Sequence, residues 1–126
     1  MIFLSKKHEK RFYEACCLID TGYEISMAAC YLLTVKKSLW EAMKDAVYDD
    51  EIAFDKINFI PRTVEEQALY NAAYDIFNCG DAILLCDLAE PDIIPDKAFR
   101  AIAYALMYKR FGFDTGFSEV TVRKYR

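Results

Sequence analysis

One histidine, His8, and five cysteines, Cys16, Cys17, Cys30, Cys79 and Cys86, are the side chains of this 126-residue chain best suited to neutral-pH catalysis or metal binding. Imidazole changes charge near neutrality because its ordinary pKa is about 6.5, so a single histidine leaves most acid-base work to carboxylates, thiols or tyrosines. The cysteines contain no CxxC pair. Cys16 and Cys17 are adjacent and face different ways on a helix, Cys79 and Cys86 straddle a helix break, and one imidazole cannot complete a four-ligand zinc set from them. His8 and Cys16 stand two helical turns apart, a rise of about 12 Å, too far for imidazole to activate the thiol. Packing as small hydrophobes is the expected role of the thiols. No catalytic residue, cofactor or metal site is expected, and the chain reads as a non-enzyme.

Three groups of side chains remain for binding. Asp49, Asp50, Glu51 and Asp55 lack the alternating ligands, the glycine and the closing glutamate of a calcium loop, as do Asp87, Glu90, Asp92 and Asp96. Solvated acidic loops or a patch that meets a basic partner are the readings left for them. Tyr70, Tyr74 and Phe77 recur three or four apart and could form either a contact face or a second layer of core. Lys6, Lys7, Lys10 and Arg11, with Arg123, Lys124 and Arg126 at the other end, could contact phosphates if the fold brought them together. The acidic centre between them argues against nucleic acid as the partner.

The net charge of -4 conceals that layout: residues 1–12 carry four bases and one acid, residues 109–126 five bases and two acids, so the middle holds -10. Hydrophobic residues make up 55% of the chain and aromatics 15%, enough for a well-filled core in one domain with apolar surface left over. That excess favours a homodimer or a bound partner protein. The run from Met1 to Leu4 is too short for a signal-peptide core, and the uncharged run from Ile25 to Val35 is about half a membrane span, so a cytoplasmic protein without membrane association is expected.

Capping residues and periodicity place the elements. Ser5 starts a helix to about Ile19 with Gly22 as terminator, and a second helix over Glu24 to Thr34 is apolar on nearly every side. Ser38 and Glu41 have capping-box spacing ahead of a third helix to about Tyr48. An irregular connection to Arg62 follows, with Ile57 to Ile60 as its one strand-like stretch. Thr63 and Glu66 open a helix with Val64, Ala68, Ala72, Ile76 and Cys79 on one face, stopped by Gly80. Asp81 opens a short helix to Leu88, and Pro95 opens another to Phe111. That last helix shows two apolar faces and is expected to be central, with Ile102 as a core residue whose change to alanine costs about 2 to 5 kcal/mol. The fold class is all-α: a compact single-domain bundle of five or six helices over 1–112. Residues 113–126 form an extended basic tail in which Val120 and Val122 alternate like a short strand.

The segments YLLTVKKSLWEAM, IPRTVEEQALYNAAYDIFN and AFRAIAYALMYKRF resemble, in helix order and apolar placement, small uncharacterised all-helical proteins of Gram-positive bacteria and their phages and mobile elements. The resemblance implies an accessory protein and transfers no site residues. The function expected is non-enzymatic protein binding, in its narrowest form inhibition of a host defence nuclease through Tyr70, Tyr74, Asp49, Asp50, Glu51 and Asp55. The alternative is a small nucleic-acid binder using the basic ends.

Overall fold

The computed structural model describes residues 1–113. It is mostly helical: α1 (Lys6–Cys16), α2 (Glu24–Leu33), α3 (Lys37–Met43), a two-stranded antiparallel hairpin of β1 (Val47–Tyr48) and β2 (Glu51–Ile52), α4 (Val64–Asn78), α5 (Leu85–Leu88) and α6 (Asp96–Phe111). The expected tail strand and the bases Arg123, Lys124 and Arg126 lie outside the described residues.

The central helix is α2, not α6. Ser26 through Leu33 are all buried, and α1, α3, α4 and α6 pack around them. A helix apolar all round can only be stable when covered all round. By contrast, α6 buries a narrow stripe of Ala98, Ala101, Ile102 and Ala105, while Phe99, Leu106, Met107 and Phe111 stand in solvent. Three alanines let its backbone lie close to α2, which leaves the long apolar side chains on its flanks partly exposed.

Ser5 caps α1 as its position suggests, its hydroxyl accepting from the His8 N–H at 3.0 Å. The helix stops at Cys16 rather than Ile19 because the next residues pair elsewhere. The Asp49 N–H donates to the Leu18 carbonyl and the Asp20 N–H to the Asp49 carbonyl, docking the hairpin turn against the end of α1 and burying Ile19.

The Ser38–Glu41 capping box does not form. Ser38 lies inside α3 with its hydroxyl donating to the Glu66 carboxylate, and Glu41 pairs with Lys44 at 2.8 Å. The chain leaves α3 after Met43 through a 3-10 turn over Lys44–Ala46 into the hairpin, so the third helix ends about five residues before the point its periodicity suggests. The strand is at Val47 to Ile52, not at Ile57 to Ile60.

In α4 the Thr63 hydroxyl accepts from the Glu66 N–H at 3.1 Å, and the Glu66 carboxylate reaches back to the Arg62 N–H at 2.9 Å. The buried face runs through Ala68, Leu69, Ala72 and Ala73, rotated from the expected stripe, so Val64 and Cys79 are exposed. At its end Cys79 itself takes the left-handed conformation, with φ 55°. Gly80 is needed for a different reason than stopping the helix: a Cβ there would lie 2.6 Å from the Asp75 carboxylate.

The helix expected from Asp81 shrinks to the single turn of α5. Asp75 competes for the backbone before it, accepting from the N–H groups of Ala82 at 3.0 Å and Ile83 at 2.7 Å. Asp87 then accepts from the Leu84 N–H at 2.9 Å and starts the turn late.

Candidate functional site

His8, the residue most suited to chemistry, is fully buried and its ring is committed to backbone. Nδ1 accepts from the Leu4 N–H at 3.1 Å and Nε2 lies 2.8 Å from the Tyr31 carbonyl, which fixes the neutral tautomer with the proton on Nε2. Burial lowers its pKa from 6.5 to about 4, against the opposing pull of the Tyr31 carbonyl. One turn along α1, Arg11 donates through Nε to the Thr34 carbonyl at 2.7 Å and through Nη2 to the Val35 carbonyl at 2.8 Å. Together these two side chains answer carbonyls that the end of α2 leaves without helical partners, and the guanidinium sits at the negative end of that helix. Tyr31 and Tyr108 complete the arrangement: the Tyr31 hydroxyl donates to the Ile2 carbonyl and the Tyr108 hydroxyl accepts from the Ile2 N–H. The polar groups of α1 thus hold helix ends and the first residues in place. Arg11 is tied into the fold, whereas Lys6, Lys7 and Lys10 are exposed.

The thiols divide by burial. Cys30 is buried and Cys16 nearly so, and burial pushes the Cys16 thiol up to about 12 and Cys30 further still, which keeps both protonated and poorly nucleophilic. Cys17, Cys79 and Cys86 are exposed. Among the described residues no three His, Cys, Asp or Glu side chains converge as metal ligands would.

Phe54, next to Asp55 in the chain, packs on the tyrosine face of α4. Its ring lies 5.7 Å from Tyr70, 5.4 Å from Tyr74 and 5.9 Å from Phe77, with Phe59 at 5.1 Å from Tyr70. Tyr70 is half-buried by this layer, and Tyr74 retains an exposed edge. Asp49, Asp50, Glu51 and Asp55 are exposed, Asp49 in the turn that docks on the end of α1, and Lys56 donates to the Tyr48 hydroxyl. Below that layer a groove of about 310 Å³ runs past Phe59 to Glu66, whose carboxylate is held below the usual range by the Ser38 hydroxyl and the Arg62 N–H. Both oxygens of Glu66 already hold partners, so the group works as a clasp between α3 and α4.

A second cleft, of about 210 Å³, was not foreseen. It lies between the flanks of α4 and α6, with Leu32 of α2 beside Ala72, Ile76 and Ile102, and Ile83, Leu88 and Leu106 along it. Next to those residues in the chain, Leu84, Leu85, Ile93 and Phe99 are exposed, Leu85 to 85%. The sequence signal that could have found it is the charge pattern. No lysine or arginine occurs between Arg62 and Lys97, a stretch that carries eight carboxylates and this apolar run. Within it Asp75 and Asp87 are used to fix backbone, while Asp81, Glu90, Asp92 and Asp96 are exposed. No described helix is long and apolar enough to cross a membrane. No family model matches the chain, and neither a curated protein nor a solved structure shows significant similarity to it.

Proposed function

We propose that this protein acts by binding another protein through its exterior and carries out no chemistry of its own. The observation that carries this reading is the exposure of large apolar side chains between α4 and the end of α6, Leu85 at 85% and Leu106 at 50% among them. Exposed apolar surface of this kind, rimmed by polar residues, is what protein contacts are made of. The acid excess favours a basic partner, and an accessory protein that covers the phosphate-binding face of a host defence nuclease is the specific form of the proposal. Purification of the tagged chain from its own host, beside Leu85→Glu, tests it. The expected result is a stoichiometric partner protein held by the wild type and lost from the variant. A wild-type chain that purifies with nothing and sediments as a monomer overturns the proposal.

A further inference from the structure

The cleft between α4 and α6 combines three properties that seldom occur together by accident on a small domain. Its lining is apolar and continuous with the core, since Leu32 of the central helix and Ile102 both reach it. Large apolar side chains stay in water at it and near it in the chain: Leu106, which lines it, and Leu84, Leu85 and Phe99, which lie within three residues of Ile83, Leu88 and Ile102. The connection from α4 to α6, which supplies Ile83 and Leu88 to it, is acidic: Asp81, Glu90, Asp92 and Asp96 are exposed and no base occurs before Lys97, whereas α6 itself carries Lys97, Arg100 and Arg110.

From this juxtaposition we infer that the cleft receives a basic amphipathic helix of a partner protein, with one large aliphatic or aromatic side chain entering between Ile76, Leu88 and Ile102 and lysines or arginines meeting the acidic connection. The inference rests on the binding role proposed above and names its partner. An apolar cavity of about 150 Å³ takes up benzene, so a space of about 210 Å³ accommodates a leucine or phenylalanine side chain. The walls are two helix flanks, the geometry in which an amphipathic helix lays anchors at i, i+3 or i+4 and i+7 into a groove. The acid excess of the connection favours a basic occupant: an acidic helix would bring its polar face against the exposed carboxylates between Asp81 and Asp96, whereas a basic one is steered in. Ile83 and Leu88 of this segment reach the cleft, with Asp75 holding the backbone at Ala82 and Ile83 and Asp87 holding it at Leu84.

The test is a fluorescence titration of the full chain with a labelled amphipathic peptide of about 18 residues, leucines in the helical repeat and lysines elsewhere, against a scrambled peptide of the same composition. The patterned peptide is expected to bind saturably and the scrambled one at least about ten-fold more weakly. Leu85→Glu and Leu106→Glu, both at exposed positions that leave the core intact, are each expected to weaken the patterned peptide about ten-fold or more. The double change Glu90→Gln with Asp92→Asn is expected to weaken it and to flatten its salt dependence. Equal binding of the two peptides, or variants that bind like the wild type, overturns the inference. So does a wild-type dimer that Leu85→Glu converts to monomer, since the occupant is then a second copy. Failure here is separable from failure of the wider reading: a host partner lost with Leu85→Glu but replaced by no basic peptide leaves the binding role standing and removes only this class of helix.

Discussion

Around the carboxyl end of α2, the carbonyls of Tyr31, Thr34 and Val35 are each met by a side chain from α1, and the Thr34 hydroxyl adds a bond to the Cys30 carbonyl at 2.6 Å. Rings of Phe3, Phe12, Tyr13 and Tyr31 fill the space around them at centroid distances from 5.5 to 5.9 Å. In residues 79–95 the backbone is held by Asp75 and Asp87 instead, with Ile94 as the one fully buried apolar side chain and Leu84, Leu85 and Ile93 turned outward. One region has spent its polar and apolar groups on the fold. The other leaves large apolar groups in water, as the binding role proposed above requires.

The contrast is sharpest in truncations. Leu33 and Leu69 are fully buried, and either changed to alanine is expected to cost about 3 to 5 kcal/mol by urea denaturation. Ile102→Ala, buried but bordering the open cleft, is expected near the low end of its range, about 2 kcal/mol. Leu85→Ala is expected within about 0.5 kcal/mol of the wild type. A loss above about 2 kcal/mol from Leu85→Ala would mean that the outward apolar residues belong to the core after all, and the distinction between the two regions would fall.

Proton linkage separates them next. His8 has a folded pKa near 4, below its unfolded value of 6.5, so the native state prefers the neutral ring. The contribution is whole above pH 6.5 and is lost as pH falls from 6.5 toward 4, a total of about 3 kcal/mol. Glu66, also held below its usual value, contributes stability that is lost only as pH falls below the ordinary carboxylate range, so the higher window belongs to the imidazole. Urea midpoints measured from pH 7.5 to 4.5 should fall steeply for the wild type and stay flatter for His8→Gln, which can still donate and accept but does not titrate. An unchanged slope in that variant would show that the ring is not the buried neutral group described. A smaller effect is expected on the other side: Asp75→Asn weakens two carboxylate bonds and should cost about 1 to 2 kcal/mol, concentrated as faster hydrogen exchange at Ala82 and Ile83.

The two regions were unequally legible in the sequence for the same reason that they differ in structure. Ser5, Thr63 and Pro95 act locally on the turn that follows them, so their helices start where expected. Ser38 shows the limit of such signals, because Glu66, 28 residues away, offers its hydroxyl a buried carboxylate in place of an exposed cap. The burial of His8 is not legible in the sequence, because its partners, the Leu4 N–H and the Tyr31 carbonyl, are backbone groups that carry no sequence signature. Choosing α6 as the centre followed from counting apolar residues on its faces. What decides burial is which face can approach α2, and the alanine stripe does so better than Phe99 or Leu106. On the tyrosine face, Tyr70 packs against Phe54 and Phe59 while Tyr74 keeps an exposed edge, because the apolar residues of the connection before α4 fold back onto that helix. The apolar cleft was missed because leucines in a predicted helix read as core by default.

The smallest expected effect is also the one with a favourable sign. Cys79 ends α4 with φ 55° and ψ 43°, a conformation that costs a residue bearing a Cβ about 1 to 2 kcal/mol and glycine nearly nothing. Its side chain is exposed, so Cys79→Gly removes strain without opening the core, and part of the gain is offset by the greater freedom of glycine in the unfolded chain. A net stabilisation of about 0.5 to 1 kcal/mol is expected by denaturation, whereas Gly80→Ala, whose Cβ would meet the Asp75 carboxylate, is expected to destabilise by a comparable amount and to speed exchange at Ala82. Adjacent positions with opposite signs follow only if the turn is set by the Asp75 carboxylate and the left-handed Cys79 together. Loss of stability in both variants would mean that the thiol side chain has packing of its own, and the junction leading to the cleft would then be more firmly built than its exposure suggests.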